Sequence, residues 1–211
     1  MPLPIDCHDL VVRPMVPADA DLLEALQRRV FPRLADAEII TAPKYRRHLE
    51  VFPAGQLVAE SGGRIVGATS SMRCALTVAR HSYLEISDNL WIGTHDPAGP
   101  WLYGLDIGVD PAFRGLGVAR LLYRARQELV RRLGLAGQFT VGMLNGFELA
   151  SGELTLVQYY EAVVAGHRND PTISFQLAIG FEPRGLVDDY LDDPTCGNAG
   201  VLLVLSADKT V

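Results

Sequence analysis

Apolar residues recur along this chain in two rhythms, and the rhythm switches often. Leu10 to Arg13 predicts a short strand, and Pro17-Ala18-Asp19 then opens a helix whose Leu22, Leu23, Leu26 and Val30 fall at helical spacing and stop before Pro32. A second helix is predicted over Tyr45–Val51, ahead of Phe52-Pro53. Gln56–Glu60 and Arg64–Ala75 read as strands joined by Ser61-Gly62-Gly63, a turn whose glycines tolerate positive φ. Thr77–Pro100 mixes Glu85, Asp88, Asn89, Trp91 and His95 with the turn signal Asp96-Pro97-Ala98-Gly99-Pro100, and its pattern fits strand, loop or both.

The second half is clearer. Trp101–Val109 is a strand ended by Asp110-Pro111, and Gly117–Leu133 is a helix. Its Val118, Leu121, Leu122, Leu129 and Leu133 share one face, Arg120, Arg124, Arg131 and Arg132 lie elsewhere, and Gly134 stops it. Phe139–Leu144 is a short strand and Leu156–Ala165 a helix. Pro171–Ile179 is a further helix with Asp170 as N-cap and Gly180 as its end. Phe181–Val187 and Gly200–Ser206 are the final strands, so the order is a mixed α/β one rather than a strict βαβ repeat.

Neither repeats nor a Pro/Gly/Ser-rich linker divide the 211 residues, so one α/β domain over 1–211 is expected. With 48% hydrophobic and 21% charged residues the chain can bury a core, which excludes global disorder. A net charge of −6 argues against a nucleic-acid binder with a broad basic surface. Lys44 and Lys209 are the only lysines, leaving few candidates for Schiff-base chemistry. Cys7, Cys74 and Cys196 are distant and odd in number, with no C-x-x-C pair, and the five histidines show no ligand spacing, so no disulfide framework and no metal are expected. The first residues carry no signal pattern, and apolar runs such as Val201–Leu205 are too short to span a bilayer, giving the expectation of a cytoplasmic protein with no membrane contact.

The sharpest chemical signal is the run from Ile107 to Ala119, where a strand leads through a turn holding Gly115 and Gly117 directly into a long helix. Unpaired amides and the positive helix end then converge on one spot suited to an anion, with Arg114 beside it. The P-loop pattern fails because no lysine follows Gly117, and the dinucleotide fingerprint fails because Arg120 stands where its third glycine belongs. The plain alternative is that the two glycines only allow a tight strand-to-helix turn.

Arg114-x-x-Gly117-x-Ala119, preceded by Val109-x-Pro111, resembles the coenzyme A pyrophosphate loop of the GCN5-related N-acetyltransferases, and Asn169, Phe175 and Gly180-Phe181 fall at the offsets of that family's later motif. More narrowly, the run from Asp170 to Gly185 resembles the acetyltransferase domain found in front of carbon-nitrogen hydrolase domains. The resemblance implies a mixed, mostly antiparallel sheet flanked by helices that binds acetyl-CoA where its central strands part. It places the pyrophosphate on the amides of Arg114, Gly115, Leu116, Gly117, Val118 and Ala119, and the pantetheine along Ile107, Gly108 and Val109, with Asn169 and Phe175 also on the cofactor.

For a base, Asp106 and Tyr103 lie on the central strand, with Glu85 outside it. Strict alternation puts Tyr103, Leu105, Ile107 and Val109 on one face and Asp106 on the other with Gly104 and Gly108. The tyrosine that commonly follows the Phe175 position as general acid is Gln176 here, which cannot supply a proton. Either the thiolate leaves unprotonated, or Tyr159 or Tyr160, from an inserted segment at about 145–168, replaces the hydroxyl. That segment either walls the acceptor site or covers a sheet edge. The function implied is acetyl transfer to a primary amine of a small molecule or peptide. The alternative is a non-catalytic acyl-CoA sensor or a docking module for an amidase-like partner. Pairing of two copies through an exposed sheet end or the last strand, Val201–Ser206, is a further expectation.

Overall fold

The computed structural model describes residues 9–77 and 80–211; Cys7 and His8 lie outside the described residues. Among the described residues seven strands form one sheet in the order β1-β2-β3-β4-β5-β7-β6. They are β1 (Val11–Pro14), β2 (Leu57–Ser61), β3 (Arg64–Cys74), β4 (Trp101–Val109), β5 (Gly137–Met143), β6 (Glu182–Val187) and β7 (Gly200–Ser206). Only β4 and β5 pair in parallel. A parallel join needs a crossover, and α4 (Val118–Arg132) supplies it.

The turn between β2 and β3 carries φ of +54° at Gly62 and +75° at Gly63, the geometry a tight hairpin demands. β7 is apolar without alternation because it is covered on both faces: Val201 to Leu205 are each at most 3% exposed. It lies between β5 and β6, so the expectation of pairing through the last strand is corrected; the edge strands are β1 and β6.

Helices α1 (Ala20–Val30) and α2 (Ala42–Val51) cover one face, α4 the other. A Cβ on Gly108 would meet Val30 and Phe31, whereas one on Gly67 would meet Val118 and Leu122. α2 begins three residues earlier than its apolar pattern suggests, with Pro43 in its first turn, a position that needs no N–H donor. In α4 the buried stripe is Val118, Leu122, Leu129 and Val130, whereas Leu133 is 37% exposed beyond the helix end.

The ambiguous segment holds a short helix, α3 (Tyr83–Ser87). Ser82 Oγ accepts the Glu85 N–H at 3.1 Å and the Glu85 carboxylate accepts the Ser82 N–H at 2.8 Å, a reciprocal cap. Asp88, Asn89, Leu90 and Ile92 follow with left-handed backbone, and the complete burial of Leu90 and Ile92 offsets that strain. The inserted segment forms α5 (Leu156–Val164), which packs against α6 (Ile173–Ala178) and the edge strand β6. Asp170 starts α6 by accepting the N–H groups of Thr172 and Ile173 at 2.8 Å each.

Candidate active site at the parting of β4 and β5

β4 and β5 pair from Trp101 and Gly137 as far as Gly104 and Thr140, where Thr140 Oγ1 donates to the Gly104 carbonyl at 2.8 Å. Beyond that point they part. The cause lies on the other side of β4: Ser70 pairs with Asp106 but Ser71 with Gly104, so Leu105 is an extra residue, a β-bulge that bends the strand. From Leu105 onward β4 is bonded to β3 alone, and its edge toward β5 is open to a ligand.

The bulge also resets the alternation. Gly104 faces α4, while Asp106 takes a hydrogen bond from Gln27 of α1. Tyr103, opposite in sense to Gly104, therefore shares the α1 face with Asp106, correcting the sequence expectation that the two lie on opposite faces.

A cavity of about 100 Å³ lies in the gap. Leu105, Asp106 and Ile107 line it from β4, Thr140 to Met143 from β5, Gln27 and Phe31 from the α1 side, and Tyr83, Tyr190 and Gln176 close it. Asp106 is enclosed by protein except where it meets the cavity. Its carboxylate accepts the Ser70 N–H at 2.8 Å and a Gln27 amide N–H. Burial raises its pKa to about 6, against the opposing pull of those two donors and of Arg126. A carboxylate so placed is poised near neutrality as a proton acceptor.

The other candidates fall elsewhere. Tyr103 is fully buried, its hydroxyl bonded to that of Tyr190, and it does not reach the cavity. Glu85 is spent on capping α3, and the Ser82 N–H holds its carboxyl below the usual range. Tyr160 is half-buried against the core and outside the cavity lining. Tyr159 donates its hydroxyl to Asp170 at 3.0 Å, so neither tyrosine replaces the missing proton donor. Tyr159→Phe is accordingly expected to lower stability by about 1.5–3 kcal/mol, as for a hydrogen bond to a charged group, and to leave acyl-CoA affinity unchanged; thermal melting and calorimetric titration check the two halves. Of the insertion, only Asn145 at its start lines the cavity.

Next to the open end of β4, Gly115 and Gly117 have φ of +78° and +83°. Few residues besides glycine adopt that conformation cheaply, and it turns the chain sharply into α4. The first intrahelical bond is Leu121 N–H to Gly117 O at 3.1 Å, so the amides of Val118, Ala119 and Arg120 face outward at the positive helix end. Arg114 and both glycines are exposed. Ile107 lines the cavity, and Gly108 and Val109 continue the open edge. Phe175 is half-buried, 5.7 Å from the Arg120 guanidinium, and Asn169 is exposed.

Two buried polar residues at the site escape the hydrophobic pattern. Gln27 sits four residues after Leu23, on the buried stripe of α1, and Arg126 sits four after Leu122 and three before Leu129, on the buried stripe of α4. A polar residue interrupting an apolar stripe was the available signal.

A splayed parallel pair followed by a glycine turn into a helix is the frame of an acyl-CoA transferase fold, and residues 21–145 match the family described as acetyltransferase (GNAT) family. The chain belongs to that family. It is 32% identical to "Uncharacterized N-acetyltransferase YkwB" of Bacillus subtilis (strain 168), over 92% of this chain and 87% of that one. It is 34% identical to "Probable hydrolase YhcX" of the same organism over 88% of this chain, and it spans only 36% of that protein's length. Among solved structures it resembles the GphF GNAT-like decarboxylase in complex with isobutyryl-CoA, with 29% identity, coverage of 93% of this chain and 99% of that one, and a TM-score of 0.72. Among the described residues no helix is long and apolar enough to cross a membrane.

Proposed function

We propose that this protein transfers an acetyl group from acetyl-CoA to a primary amine. The observation that carries the reading is Asp106, a buried carboxylate on the wall of the cavity that opens where β4 and β5 part. The donor's pyrophosphate lies on the Gly115–Ala119 amides beside Arg114, and its pantetheine pairs with the open edge of β4. The thioester then sits in the cavity. The amine nitrogen attacks its carbonyl carbon, Asp106 takes the amine proton, the C–N bond forms and the C–S bond breaks with the electron pair leaving on sulfur. The negative net charge and the buried carboxylate favour a cationic acceptor over an anionic one.

Two observations favour a second reading: Gln176 stands at the cavity wall where an acid for the leaving thiol is expected, and the chain is similar to a GNAT-like decarboxylase. Loss of CO₂ from a β-carboxyacyl-CoA needs a donor at the thioester oxygen and neither an amine nor a departing thiol. Calorimetric titration of acetyl-CoA, then assays of thiol release with a panel of amines and of CO₂ release from malonyl-CoA, separate these. Amine-dependent thiol supports transfer, and amine-independent CO₂ supports decarboxylation. Binding with neither product leaves the sensor or docking module, and no binding by the folded protein ends all three.

A further inference from the structure

On the α4–α6 side of the sheet three buried side chains form a connected row. Arg126 is fully buried, and none of its guanidinium nitrogens has a hydrogen-bond partner. The guanidinium lies 5.2 Å over the ring of Tyr123. The Tyr123 hydroxyl is 2.7 Å from the amide nitrogen of Gln176, which lines the cavity. The other end of that amide, Oε1, is buried beside Gly142 without a partner; a Cβ on Gly142 would come within 2.3 Å of it.

An amide fills the same volume in either orientation about its last bond, and the hydrogen-bond balance decides between them. With nitrogen toward Tyr123, an acceptor is left buried without a donor and the tyrosine proton has no acceptor. With the amide turned, Tyr123 O–H donates to Oε1, and the nitrogen faces Gly142 and the cavity with an N–H unspent. A cation over the phenol ring strengthens its hydroxyl as a donor and weakens it as an acceptor, which favours the turned orientation. Asp106 enters the cavity from the α1 side and Gln176 from the α6 side, so the two ends of a thioester undergoing attack are served from opposite walls.

We propose that Tyr123 and Arg126 are positioning residues that hold the Gln176 amide with an N–H aimed into the cavity, where it donates to the sulfur of the departing coenzyme A thiolate. This rests on the acyl-transfer reading of the site. The amide keeps its proton: it stabilises the thiolate as an anion, as charge-assisted hydrogen bonds do, and the amine's proton stays on Asp106 until water takes it.

The test titrates the thiol of CoA bound at saturation, followed by its ultraviolet thiolate absorbance, in the parent, Gln176→Met and Tyr123→Phe. A free thiol of this kind titrates near about 8.5, and the bound thiol of the parent is expected below free CoA. Both variants are expected to raise it by about one pH unit, a tenfold fall in the thiolate-to-thiol ratio. Arg126→Met is expected to move it the same way. Calorimetry of CoA on the same samples separates a lost donor from lost binding, and Tyr123→Phe keeps Gln176 and its volume in place. A bound thiol that titrates like free CoA in the parent, or variants matching the parent, overturns the proposal while leaving the transfer reading standing. Failure of the folded parent to bind CoA removes both.

Discussion

Asp106→Asn is expected to leave a folded protein, more stable than the parent at pH 7, that has lost about 10²- to 10⁴-fold of its transfer rate. The two effects have one origin. Burial lifts this carboxyl from 3.8 to about 6, so between those values the folded chain holds a proton that the unfolded chain has released. Stability therefore falls as pH rises through that window, and the cost, at most about 3 kcal/mol and less where cavity water screens it, is complete above pH 6. Asparagine carries no such cost. The parent's rate, in turn, should fall as pH drops below about 6, where the base becomes protonated. The groups around the carboxylate that bear on its charge are Gln27 on α1, Ser70 on β3 and Arg126 on α4. Melting of parent and variant at pH 4 and pH 7, with thiol release across pH 5–8, checks all of this; an asparagine variant with full activity would remove Asp106 from the mechanism.

The Arg114→Glu, Gly117→Glu double variant is expected to lose at least about 100-fold of its affinity for acetyl-CoA. A side chain at φ +83° costs about 1–3 kcal/mol in the conformation that aims the amides, and two carboxylates at the positive end of α4 repel a pyrophosphate. No atom lies within 4 Å of where a Gly117 Cβ would sit, and Arg114 is exposed, so the fold should survive and circular dichroism should match the parent. Unchanged affinity in the calorimeter would place the phosphate site somewhere other than this turn.

Most elements are legible in the sequence where one physical signal governs them. α4 carries a helical apolar stripe, interrupted at Arg126 and ended by Gly134, and the Gly115–Gly117 turn is legible because its backbone needs glycine. α3 is not, because five residues hold too little period and its start depends on a reciprocal cap. The following left-handed residues obey contacts far along the chain: the Leu90 carbonyl accepts from His48 at 2.8 Å, and burial holds that ring neutral with its pKa lowered to about 4. The bulge at Leu105 has no signature in β4 alone, since it exists only in the register with β3. That single residue decides which face Tyr103 occupies. Asp106 and Ile107 could be named from their strand, whereas Gln27, Tyr190 and Gln176 meet them only through the tertiary fold.

Gly104 and Arg126 share one volume: a Cβ on the glycine would stand 1.6 Å from the guanidinium. The glycine cannot gain a side chain while the arginine keeps that place. A lineage that keeps the arginine is confined to glycine on the strand. One that gives up the arginine frees the strand to take alanine or larger, so a side chain at the strand position is expected only where the arginine has already been lost.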